Sequence, residues 1–397
     1  MTIDDRQIHR WVDDHAEEIV ELLRSLVRIP SITGNEAAIA QFITEYLESL
    51  NLTVERLEAE SNRPNLVCTW DSGKPGPTLL LNDHLDMIPP GPLEYWTHPP
   101  FAAEIHEGKI YGRATIDTKS GLTTILATVR LLKQLAIPFR GKLLLIFSCD
   151  EEVGGRLGMQ HLGKLGRLKA DLALVTEPTT MQVEIATKGR LTFGITTKGI
   201  ATHGARPWLG HNAIEDMMLV LEELKGLKQE LAQRKHPRLG SPSINVGTIS
   251  GGTVSNMVPN KCTIEVDRRL LPNEVPANVR KEFETLLDRI RGRHPEFDAT
   301  LEELVWWPGY EIAEDEPIVV AVSQAFEKVM GRKPAIGVKD AGTDASWINT
   351  LGNIPVAMFS PGDGLRAMNA DESVTISDLI AATKVVAQTT VDILAAR

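Results

Sequence analysis

Cysteine is scarce in this chain, basic clusters are missing, and no apolar stretch is long. Among 397 residues there are only three cysteines, Cys68, Cys149 and Cys262, far apart and each inside an apolar, strand-like run. That spacing excludes a disulfide framework and a thiolate zinc site, and leaves buried free thiols as the reading. Lys and Arg number 42 against 53 Asp and Glu, a formal net charge of -11, and they are scattered. Phosphate backbones and anionic membranes are therefore excluded as partners, and small molecules are expected. No run approaches transmembrane length, and the charged stretch "MTIDDRQIHRWVDDHAEEIV" has no apolar signal core, so a cytoplasmic protein is expected. There is no Gly-x-Ser-x-Gly elbow, and no Lys-Ser/Thr follows the glycines of "TISGGTVSN" as a phosphate-binding loop requires.

What is present is material for a large core, with 42% of residues hydrophobic, in a chain long enough for two or three domains. Ile8, Trp11, Val12, Ile19, Leu22, Leu23 and Leu26 recur at helical spacing over 5–27, and a second amphipathic helix is expected over 35–50. Short apolar runs then alternate with helices: "TLLL" at 78, "KLLLIFS" at 142, "DLALV" at 171 and "IPVAMFS" at 354. This predicts an α/β class fold, a mixed sheet with helices on both faces. Between 188 and 305 the pattern changes. Strand-like "RLTFGITTKG" and "KCTIEVDRRL" flank helical stretches near 211–233 and 276–292, which predicts a smaller α+β domain inserted into a discontinuous one, 1–187 with 306–397.

Acidic and imidazole side chains follow the apolar runs. "NDHLD" follows "TLLL", "CDEEVGG" follows "KLLLIFS", and "TEP" follows "DLALV". In open α/β sheets the carboxyl ends of strands border the ligand crevice, so His84, Asp86, Glu151, Glu152 and Glu177 are expected to converge, joined by Asp117 ahead of the helical run 118–135. Such a cluster repels itself unless a cation compensates. His84, Asp117, Glu152 and Glu177 form a nitrogen and oxygen ligand set suited to Zn, Mn or Co, and the lack of cysteine argues for a catalytic site. Asp86, two residues beyond His84 on extended chain, is expected to hydrogen-bond the second imidazole nitrogen. Glu151 and Glu152 diverge if the chain is extended there, so Glu152 is read as ligand and Glu151 as general base toward a metal-activated water.

These residues, with "YGRATIDTKSG", "GIATHGARPWLGHNA", "GGTVSNMVPNKCTIEVDRR" and "AGTDASW", occur in an order and spacing that resembles the M20 family of metallopeptidases and deacylases over nearly the whole chain. The resemblance implies a dinuclear, usually zinc, hydrolase with a catalytic domain and an inserted lid that often forms a homodimer or higher oligomer. It further implies that His84 and Glu177 bind one metal, Asp117 bridges, Glu152 binds the other, His203 stabilises the oxyanion, and Asn256, Arg268, Gly342 and Thr343 hold the substrate. One departure bears on chemistry. The family's usual Ala-His-x-x-Asp-Glu reads here Ala367, Met368, Asn369, Ala370, Asp371, Glu372. A thioether is a poor ligand for Zn or Mn, so one tight metal site and a second, weak or absent one are expected, with His98, His106 and Asp363 as candidate replacement ligands. The expected activity is hydrolysis of an amide or related C–N bond in a small carboxylate-bearing substrate: an N-acyl amino acid, a dipeptide or an N-substituted aromatic acid. The alternative is a non-catalytic small-molecule-binding homologue with a degenerate second metal site.

Overall fold

A computed structural model describes residues 4–395 and divides the chain into two compact units. The first is Met1–Ile185 with Ile312–Gly337 and Thr343–Arg397; the second is Ala186–Glu311 with Val338–Gly342. The boundaries expected at 187/188 and 305/306 thus fall at 185/186 and 311/312, and a short return, Val338–Gly342, groups with the inserted unit. No helix among the described residues is long and apolar enough to cross a membrane.

The amino-terminal helix expected over 5–27 is two helices, Asp5–Asp14 and Ala16–Val27. The break falls at His15, whose Nδ1 turns back to the Trp11 carbonyl at 2.8 Å. The sheet of the first unit runs in the order Val54–Glu58, Pro64–Asp71, Lys142–Ser148, Thr78–His84, Leu172–Val175, Val356–Met358 and Val183–Thr187. Its four central strands are mutually parallel and its edges antiparallel, which makes the sheet mixed. Leu79 and Leu81 share a core with Leu122, Ile125 and Leu126 of helix Ser120–Gln134 and with Val385 and Val386 of helix Ile376–Leu394. Alternation sends Leu80 to the other face, and helix Asp344–Gly352 packs on the strands Thr78–His84, Leu172–Val175 and Val356–Met358. Each such leucine, fully removed from water, contributes about 1.5–3 kcal/mol, so the central strands are the rigid part of the unit. Their parallel register pairs His84 with Ser148 and Asn82 with Val175. The segments that follow them therefore leave the sheet along one rim.

The inserted unit is an antiparallel sheet in the order Ser243–Gly251, Lys261–Leu270, Gly189–Lys198, Asp298–Trp307, with helices Ala213–Gln233 and Pro276–Arg293 against its core. Phe193 meets Phe283 at 4.4 Å between ring centroids. Along Lys261–Leu270 the even positions, Cys262, Ile264, Val266, Arg268 and Leu270, are buried. Cys68, Cys149 and Cys262 are free and buried; burial pushes the Cys68 thiol up to about 11, out of reach of thiolate chemistry at neutral pH.

Candidate active site

The rim of the first unit brings together His84 and Glu177, expected as ligands, with Glu151, expected as base. His84 ends its strand with Nδ1 2.9 Å from the Asp86 backbone carbonyl, which fixes the ring and leaves Nε2 toward the cluster. Nε2 lies 3.1 Å from Asp117 Oδ1 and 3.6 Å from Glu177 Oε1. One ligating atom each from His84, Glu151 and Glu177, all three buried, lie within 4.8 Å of one another. Asp117 and the half-buried Glu152 stand at the margin of that group and bear on each other electrostatically.

Charge accumulates here without compensation. Burial, reinforced by Glu177 against the opposing His84, holds the Glu151 carboxyl well above the usual range. Burial and Asp117 push Glu152 up to about 9. His84 loses by burial but gains more from Asp117 and Asp86, so its imidazolium is favoured. Acids that raise one another around a single imidazole are what a bound cation relieves. One nitrogen and several carboxylate oxygens, with no thiolate, fit a borderline divalent metal in a catalytic site.

Two readings of this region need correction. The Asp86 carboxylate does not take the second imidazole nitrogen as its main partner, since Oδ1 is 3.6 Å from it. It accepts the backbone N–H groups of Glu151 at 3.0 Å and Glu152 at 3.2 Å, and the Thr33 hydroxyl at 2.8 Å. The acid pair is also not extended. Asp150 has a left-handed backbone, φ 69°, and Glu151–Val153 is one 3-10 turn, whose leading amides need an acceptor that Asp86 supplies.

The Met368 region adjoins the cluster through Glu372. One Glu372 oxygen accepts the N–H of Ile116 at 2.8 Å and of Asp117 at 3.2 Å; the other accepts from Arg113 at 2.7 Å and from the Met368 N–H at 3.3 Å. A single carboxylate thus joins the backbones of Asp117 and Met368. The Met368 residue is 46% exposed. His98 pairs through Nδ1 with Glu104 at 2.7 Å and meets the Tyr111 ring at a tilt, and neither it, His106 nor Asp363 belongs to the three-residue donor group.

Two buried acids were missed. Asp344, in "AGTDASW", accepts from the Ser148 hydroxyl through Oδ2, while its Oδ1 is buried without a hydrogen-bond partner. Burial lifts its carboxyl to about 7. Asp83 accepts the His84 N–H at 2.9 Å and the Thr176 hydroxyl at 2.7 Å. Its place ahead of His84 on a strand buried on both faces was the available signal.

In the inserted unit His203 and Asn256 belong to one loop pair. Gly204 N–H donates to the Asn256 carbonyl at 2.8 Å, His203 pairs with Met257, and the exposed His203 ring accepts the Ala205 N–H at 3.1 Å. Arg268 is not placed to hold a substrate carboxylate. Its side chain is 0% exposed and its guanidinium meets Glu274 at 2.5 and 3.2 Å. Strand alternation sends it into the core, whereas Arg269, paired with Asp267 at 2.8 Å, lies on the opposite face. Gly342 is a close-packing glycine, since a Cβ there would stand 2.6 Å from the Trp307 ring. The Thr343 hydroxyl is a buried helix cap, accepting the Ala345 N–H at 3.2 Å, rather than an exposed substrate contact.

The chain is similar to known proteins. The family described as Peptidase family M20/M25/M40 matches residues 80–392. The chain is 30% identical to an acetylornithine deacetylase of Shigella sonnei, over 89% of this chain and 92% of that one. It is 28% identical to a succinyl-diaminopimelate desuccinylase of Hydrogenovibrio crunogenus, over 95% and 99%. A solved Bacillus subtilis structure, described as a dinuclear metal binding peptidase from the M20 family, superposes with a TM-score of 0.73 at 16% identity, covering 96% of this chain and 99% of that one.

Proposed function

Because this chain belongs to peptidase family M20/M25/M40 and is a hydrolase of amide bonds in small substrates, we propose that it cleaves an amide of a small carboxylate-bearing molecule in a metal-dependent reaction, with Glu151 as proton carrier. The observation that carries this reading is the meeting of His84, Glu151 and Glu177 ligating atoms within 4.8 Å, with Asp117 3.1 Å from His84. His84, Asp117 and Glu177 would hold one divalent cation. Asp117 and Glu152 would hold a second only weakly, since Met368 supplies a thioether where a nitrogen donor is needed. When bound, the cation supplies Lewis acidity and lowers the pKa of a water. Glu151, buried and fixed by the hydrogen bond that its backbone N–H donates to the Asp86 carboxylate, takes the proton of the attacking water and delivers it to the departing nitrogen. His203 is assigned to the oxyanion and Asn256 to substrate binding. The substrate carboxylate is assigned to Arg269, on the strand face away from the core, in place of Arg268.

Relatives named as a deacetylase and a desuccinylase support an N-acyl amino acid as substrate. The apolar Met368, whose backbone is linked to that of Asp117 through Glu372, favours a bulkier or more aromatic N-substituent. Exposed Ile200, Trp208, Leu209 and Met218 on the inserted unit support a homodimer through that unit, which light scattering would test. The decisive experiment is turnover of acyl-amino acids, dipeptides and aryl amides by wild type, by chelated protein and by Glu151→Gln. Metal-dependent turnover lost in the variant is expected. No turnover by wild type across the panel would favour a non-catalytic binding protein, the reading suggested by the replaced histidine.

A further inference from the structure

The turn that carries Glu151 and Glu152 is gripped from behind by residues the mechanism has not used. Asp150, immediately ahead of the pair, must hold a left-handed backbone that non-glycine residues rarely adopt. Its carboxylate is tied on both oxygens: Oδ2 accepts the Leu157 N–H at 3.0 Å, and Oδ1 accepts from the Arg63 guanidinium at 2.7 Å. Arg63 spans onward to Glu36 at 2.8 Å, and Glu36 also accepts the Gly34 N–H at 2.9 Å. These side chains are 15%, 0% and 6% exposed for Arg63, Glu36 and Asp150. Two residues along, Asn65 closes the same loop. Its Oδ1 accepts the Cys149 N–H at 3.1 Å and its Nδ2 donates to the Leu157 carbonyl at 2.8 Å.

A buried ion network of this kind contributes little net stability over an apolar replacement, because desolvation offsets attraction. Its distinctive effect is geometric, since a guanidinium fork fixes both direction and distance to each carboxylate. Here the object fixed is the turn between the end of strand Lys142–Ser148 and the acid pair.

We propose that Arg63 is a positioning residue for proton transfer: by bridging Glu36 and Asp150 it holds the left-handed turn that aims Glu151 at the His84–Glu177 group. The inference rests on the reading of Glu151 as proton carrier. Arg63 is spent on Glu36 and Asp150 and lies outside the His84–Glu151–Glu177 donor group, so its loss acts through the turn.

The test compares wild type, Arg63→Ala, Arg63→Lys and Glu151→Gln as full-length, metal-loaded proteins. For Arg63→Ala a fall in kcat of about 10- to 100-fold is expected, with KM within about twofold and metal per chain unchanged. Millimolar methylguanidinium should restore much of that rate and none of the rate lost in Glu151→Gln. Arg63→Lys, which keeps the charge but not the fork, should fall between. Independently of turnover, hydrogen exchange of the amides over 149–157 should quicken in Arg63→Ala while that of 172–175 does not. An Arg63→Ala protein with wild-type kcat or unchanged exchange over 149–157 would overturn the proposal, as would a rate loss that tracks lost metal or lost fold and resists methylguanidinium. Full activity in Glu151→Gln would instead sink the proton-carrier reading, leaving the exchange result to judge Arg63 alone.

Discussion

At the scale of single residues, the roles proposed for Glu151 and Asp86 are proton transfer and aim. Glu151→Gln keeps the size and loses the base, so turnover should fall about 100- to 10,000-fold with metal content intact; single-turnover rates with metal analysis check this. Asp86→Ala releases the amides of Glu151 and Glu152 and should lower kcat and metal affinity together, each by about 10- to 100-fold. Much of this set was legible without coordinates, because His84, Glu151, Glu152 and Glu177 each follow an apolar run and parallel strands end at one rim. The clamp by Asp86 was not legible. It depends on Glu151–Val153 being a turn, and the alternation rule that separated the two glutamates assumed extended chain. Nor does any local pattern announce the Arg63–Asp150 pair, whose partners lie far apart in sequence.

At the scale of elements, the strand Lys261–Leu270 decides which arginine can meet a ligand. The apolar residues Cys262, Ile264 and Val266 already marked the even positions as inward, so the burial of Arg268 could have been read from alternation alone. Arg268→Met leaves Glu274 without its buried partner and should destabilise the protein by about 3–5 kcal/mol in chemical denaturation. Its KM should stay near wild type. Arg269→Ala should do the reverse, raising KM at least tenfold at nearly unchanged stability. The break at His15, by contrast, has no glycine or proline to signal it, and the helical spacing of apolar residues runs through it.

For the whole molecule, the fold gathers several buried acids that either protons or a bound cation would make mutually tolerable, and this couples stability to metal and pH. Asp344 near 7 and Glu152 near 9 lie above their unfolded values, so the metal-free folded state binds more protons than the unfolded chain between those unfolded values and the folded ones. Their contribution is fully present in acid and is lost as pH rises through about 7 to 9, so metal-free protein should melt lower at pH 9 than at pH 6. A bound divalent cation would keep these acids ionised at little cost. The gap in melting temperature between loaded and chelated protein should therefore widen with pH, which thermal denaturation at the two pH values checks.

The measurement that bears most directly on the metal account is the number of ions carried by wild type and by Met368→His, both purified in metal-supplemented buffer and freed of loose ions. We expect about one ion per chain in wild type, set by His84, Asp117 and Glu177, and about two in the variant, where a nitrogen donor returns beside Asp117 and Glu152. Two tightly held ions in both proteins, or none in either, would contradict the account.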